Sequence, residues 1–92
     1  MKVVINRCFG GFGLTKEVIN RYNELSGNSV QYEFDIRRDD PFLIQAIEEV
    51  GLKASGSSYS ELEIVDIPDD VAWYVDDYDG METIRESHRS WP

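Results

Sequence analysis

Apolar and polar positions fall into two rhythms along this chain, one with the period of a strand and one with that of a helix. Val3, Val4 and Ile5 form an unbroken β-branched run and predict a strand over Lys2–Asn6. From Thr15 the spacing turns helical: Val18, Ile19, Tyr22 and Leu25 share one stripe, Thr15 suits the N-cap, Glu17 suits the positive end, and Gly27 suits a left-handed stop. A helix over Thr15–Leu25 follows. Val30, Tyr32 and Phe34 alternate with Gln31, Glu33 and Asp35, the pattern of a half-exposed strand or of an extended loop. Asp40 before Pro41 opens a second helix, because the acid caps free amides and proline fixes the first turn. Phe42, Leu43, Ile44, Ala46, Ile47 and Val50 then make it largely apolar until Gly51 ends it.

The small polar run Lys53–Ser58 reads as a flexible surface connection. Leu62–Ile67 alternates as a strand, Pro68-Asp69-Asp70 makes a turn, and Val71–Val75 forms the next strand, antiparallel to its predecessor because the connection is so short. Asp79 and Glu82 have capping-box spacing and predict a last helix with Met81, Ile84, His88 and Trp91 on one face. The fold class expected is α+β, a small mixed three- to four-stranded sheet with three helices packed mainly on one face. Lys2–Asn6, Leu62–Ile67 and Val71–Val75 would form the sheet, edged by Val30–Phe34. Val18, Tyr22, Leu43, Ile47, Val50, Met81 and Ile84 are its expected core.

The 92 residues suit a single domain spanning 1–92, and 41% hydrophobic with 12% aromatic residues describe a globular chain. The formal net charge of −9 opposes a sequence-independent grip on nucleic-acid phosphates. An anionic small molecule stays compatible with it, since a local arginine cluster governs the field within a Debye length of roughly 8 Å. Cys8 is the only cysteine, so an internal disulfide and a structural thiolate zinc site are both excluded. No apolar run approaches the roughly 20 residues of a membrane helix, and Met1–Asn6 meets polar residues too early for a signal peptide. A cytoplasmic location with no membrane contact is the expectation.

The chemistry concentrates in Asn6-Arg7-Cys8-Phe9-Gly10-Gly11-Phe12-Gly13-Leu14, at a strand-to-helix junction. Gly10, Gly11 and Gly13 permit a sharp turn that leaves several N–H groups facing one concavity, the kind that attracts anions before a helix. Arg7 would supply the charge that neutral amides lack. The plainer reading has the glycines simply allowing the turn while Phe9 and Phe12 plug the core; the spacing matches neither the dinucleotide fingerprint nor a P-loop. Arg37, Arg38, Arg85 and Arg89 either flank the same pocket or pair with the abundant acids. Asp77, Asp79, Gly80 and Glu86 partly fit a calcium loop, but its first position would be Val75, so no metal or other cofactor is expected. Cys8 with His88 is the one nucleophile–base combination available, against which stands a buried thiol and a helix-supporting histidine. Trp73, Tyr74, Tyr78 and Trp91 offer stacking or contact surface beyond what the core needs.

The run from Asn6 to Leu14, with Arg38-Asp39-Asp40-Pro41, Tyr78-Asp79-Gly80-Met81-Glu82 and His88-Arg89-Ser90-Trp91, resembles a family of small uncharacterised proteins of tailed bacteriophages and prophages. The resemblance spans nearly the whole chain and implies a phage accessory factor acting in the host cytosol. Three functions follow as expectations. The first is a non-catalytic protein that sequesters a phosphorylated, nucleotide-like ligand with Arg7, Phe9, Gly10, Gly11, Phe12, Gly13, Arg37, Arg38, Arg85 and Arg89, Tyr78 offering a further stacking plane. The second is an acidic inhibitor of a host protein, mimicking DNA with Asp76, Asp77 and their neighbours. The third is a small enzyme using Cys8 and His88 or a carboxylate pair. A homodimer that shares strand edges is the alternative to a monomer.

Overall fold

The computed structural model describes residues 1–58 and 60–86, and within them the chain is a small α+β fold. Its elements are β1 (Lys2–Asn6), α1 (Lys16–Ser26), a 3₁₀ turn (Glu33–Asp35), α2 (Pro41–Val50), α3 (Leu52–Ser55), β2 (Leu62–Asp66), β3 (Trp73–Tyr78) and β4 (Met81–Glu86). The strands form two antiparallel pairs, β1 with β2 and β3 with β4. The single three- to four-stranded sheet expected from the sequence is therefore replaced by two ribbons.

Several elements match their sequence signals. Asp40 caps α2, its carboxylate accepting from the Phe42 amide at 2.9 Å, with Pro41 in the first turn. Gly27 ends α1 in the left-handed region at φ 77°. Thr15 stands at the N-cap of α1 without capping it; its hydroxyl donates instead to the Ala54 carbonyl at 2.8 Å, tying α1 to α3.

Four expectations are corrected. The segment from Met81 is β4 rather than a helix, because Asp79 (φ 54°) and Gly80 (φ 90°) both take positive φ and make the tight two-residue turn of a hairpin. Asp79 and Glu82 are thus no capping box. Leu62–Asp66 pairs with β1, from Lys2↔Asp66 to Asn6↔Leu62, and not with Val71–Val75, since the tighter turn at Asp79-Gly80 gives β3 a nearer partner. Val30–Phe34 is not a strand: its alternation ends in the 3₁₀ turn, with Tyr32 and Phe34 stacked in parallel and exposed, their ring centres 5.3 Å apart. The third helix is the short α3, which overlaps the Lys53–Ser58 stretch expected to be a flexible connection.

Val4, Leu14, Val18, Ile19, Tyr22, Ile36, Leu43, Ile44, Ala46, Ile47 and Leu62 form the core, with α1 and α2 packed together beside β1. Val50 packs at its edge. Met81 and Ile84, expected inside, are only half-buried because they belong to the β3–β4 ribbon. β1 is buried from Val3 to Asn6 and acts as the spine. One of its edges bonds to β2. Along the other, the Val4 amide donates to the Arg38 carbonyl at 2.9 Å and the Asn6 amide donates to the Glu82 carboxylate at 2.8 Å. Side chain and loop thus take the place of a third strand, which is why the two ribbons never merge.

Candidate functional site

Asn6 is fully buried and joins four parts of the chain. Its side-chain amide donates to the carbonyls of Cys8 (2.6 Å) and Gly80 (2.7 Å), and its oxygen accepts from the Glu61 amide at 2.8 Å. One residue therefore fastens the end of β1, the glycine loop, the approach to β2 and the β3–β4 turn. A buried amide satisfied in this way fixes geometry, since each group left unpaired would cost about 1–3 kcal/mol.

The loop from Cys8 to Leu14 is held from outside. Ser60 Oγ donates to the Gly11 carbonyl at 2.6 Å, the Ser57 amide donates to the Gly13 carbonyl at 3.1 Å, and the Ser57 and Ser60 hydroxyls are 2.9 Å apart. On the facing side the β3–β4 turn presses in: a β-carbon at Gly80 would lie 2.6 Å from the Phe9 oxygen and 2.7 Å from the Gly11 nitrogen. Among the described residues the amides of Gly10, Phe12 and Gly13 meet no hydrogen-bond acceptor. Phe9 is exposed and Phe12 is half-buried.

Of the described arginines expected to converge here, only Arg38 packs on the loop. Its guanidinium lies 3.5 Å from the centre of the Phe12 ring and forms a two-pronged pair with Glu82, Nη2 donating to Oε2 at 2.7 Å. The Glu82 side chain is 4% exposed and that of Arg38 23%, so the pair is shielded and its charge is already matched. Arg7 pairs with Glu63 at 3.2 Å, in a shallow cleft of about 320 Å³ between Glu61, Leu62 and Glu63. Arg37 pairs with Asp39 at 3.1 Å beside the start of α2, and Arg85 with Asp76 at 2.6 Å on the hairpin. The Asp76 hydrogen bond raises the pKa of the Arg85 guanidinium above its usual value, which holds the charge in place. Arg89, His88 and Trp91 lie outside the described residues. Tyr78 is 79% exposed at the hairpin tip.

Sequence reading overlooked Asn6 and Glu82 as the organisers of this corner. The available signal was Asp79-Gly80, a strong hairpin dipeptide, followed by β-branched Thr83 and Ile84. Had it been followed, Glu82 would fall on a strand beside the loop. Among the described residues no group of three or more histidine, cysteine, aspartate and glutamate side chains is placed to hold a metal ion, and no helix is long and apolar enough to cross a membrane. No protein-family model, curated protein or solved structure matches the chain.

Proposed function

We propose that this chain is a non-catalytic, acidic binding module whose partner is a positively charged protein surface. One observation carries the reading. All five described arginines, Arg7, Arg21, Arg37, Arg38 and Arg85, are already paired with carboxylates. The surplus charge on the surface is then negative, and Glu33, Asp35, Glu61, Asp70, Asp77, Asp79 and Glu86 have no cationic partner among the described residues. A partner with lysines and arginines would be steered towards this field and held by it. If the chain is phage-encoded, as its resemblance implies, the partner would be a host protein in the cytosol, and occupation of its DNA-binding groove is the sharper form of the idea.

A second reading keeps the ligand pocket, favoured by the amides of Gly10, Phe12 and Gly13 that meet no acceptor among the described residues. Among the described residues no unpaired arginine adds cationic charge to them. Thermal unfolding separates the two, because a ligand raises the melting temperature according to how far its concentration exceeds its dissociation constant. Under the first reading a lysine-rich peptide raises the melting temperature at low salt and loses its effect at high salt, while inorganic phosphate, pyrophosphate and nucleotides do nothing. Stabilisation by pyrophosphate or a nucleotide, with none by the peptide, would reverse the order.

A further inference from the structure

Among the described residues the β3–β4 ribbon leaves one strand edge open. β3 runs six residues from Trp73 to Tyr78 in unbroken register with β4, without proline or a bulge, and β4 alone of the described strands pairs with it. The usual ways of blunting an edge are thus missing, except for charge. The two-residue turn makes Tyr78↔Met81 the hydrogen-bonded pair that closes it, so Asp76↔Thr83 and Tyr74↔Arg85 are also hydrogen-bonded pairs. The main-chain groups of Trp73, Val75 and Asp77 consequently point away from β4. Exposed Tyr74 and Tyr78 flank them on one face, and half-buried Trp73 and Val75 on the other.

The charge along this edge decides what can occupy it. From Trp73 to Glu86, with Glu82 matched by Arg38 and Asp76 by Arg85, the ribbon is left with Asp77, Asp79 and Glu86 and no cation to offset them among the described residues. A second copy adding through β3 would bring both Asp77 side chains, neither with a cationic partner among the described residues, into one small area, and like charges across a strand pair destabilise it. An extended segment with lysine or arginine at alternate positions meets the same edge with opposite charge, while its main chain completes the ladder. Resting on the acidic-binding reading, we infer that β3 is its docking edge: the partner supplies a basic strand that adds to Trp73–Tyr78. The exposed tyrosines then cover the aliphatic stems of the incoming basic side chains.

The test uses the full chain and two synthetic peptides of equal charge, one alternating lysine with threonine or valine, the other with prolines that prevent strand addition. The extended peptide should bind, and should slow hydrogen exchange at the amides of Trp73, Val75 and Asp77 by about tenfold or more, a degree expected of newly paired edge amides. The proline peptide should bind about tenfold more weakly or worse, since it keeps the charge and loses the ladder. Val75→Pro should abolish binding of the extended peptide, because the Val75 amide faces outward and its loss leaves the β3–β4 bonds intact; unchanged exchange at the inward amides of Tyr74, Asp76, Thr83 and Arg85 verifies that the ribbon is folded. Equal binding of both peptides, with no protection along β3, overturns the strand-addition proposal and leaves the acidic-binding reading standing. Failure of both peptides to bind at low salt overturns the strand-addition proposal and the acidic-binding reading together. Self-association that protects the same amides would make a second copy the occupant and overturn the basic-strand assignment.

Discussion

Gly80 and Gly27 both take positive φ, yet their surroundings separate backbone strain from crowding. At Gly27 an added β-carbon meets nothing within 4 Å, whereas at Gly80 it meets the main chain of Phe9 and Gly11 at less than 3 Å. Gly27→Ala should cost about 1 kcal/mol, the usual penalty for a side chain in the left-handed region. Gly80→Ala should cost about 3 kcal/mol or more, because main chain cannot step aside as a flexible side chain can. Urea unfolding followed by tryptophan fluorescence measures both, and equal losses would mean that the turn does not press on the loop. Tyr22 gives a second residue-scale expectation. Its hydroxyl donates to Asp40 at 2.8 Å, and burial, then that hydrogen bond, raises its pKa above the ordinary 10.0. Below pH 10 the tyrosine is protonated in both states and its contribution is complete; above it the unfolded chain ionises first, so stability falls as pH rises towards the folded value. Tyr22→Phe should therefore flatten the alkaline limb of a stability–pH curve, at a cost near neutrality of about 1 kcal/mol for the lost hydrogen bonds.

The β3–β4 ribbon is tied to β1 at two points, the Gly80 carbonyl and Glu82. Glu82 takes the Asn6 amide and the Arg38 guanidinium at once. Glu82→Gln keeps an acceptor for Asn6 but leaves Arg38 shielded and without its counter-charge, a change expected to cost about 3 kcal/mol. Hydrogen exchange should then accelerate in Met81–Glu86 while α1 and α2 stay protected; a uniform loss would show that the ribbon and the helical core unfold together. The two main helices were legible in the sequence because local signals, a capping acid, a helical stripe and a stop glycine, all agree there. The last strand was misread because Asp79 and Glu82 also fit a helix start, and the tight turn prevailed through positive φ at two successive residues. Val30–Phe34 was misread because alternation marks a strand only where a neighbour offers its main chain, and here none of the described strands does.

Across the whole molecule the charge of −9 opposes compaction, although local pairs offset part of it. Most of those pairs lie at the surface, where each contributes at most about 1 kcal/mol, so general repulsion should dominate the salt response. The melting temperature should rise by a few degrees as sodium chloride goes from low to physiological concentration. A flat or falling curve would assign more stability to the pairs than exposed ion pairs usually carry. Composition alone determined this acidic character, and local pattern alone determined β1, α1 and α2, because charge and short-range periodicity belong to the chain before it folds. Only tertiary structure decided which strand pairs with which, that each described arginine is matched by an acid, and that Asn6 and Glu82 fasten the ribbon to the core. Those outcomes depend on groups brought together from up to 76 positions apart, and no local spacing encodes such a meeting.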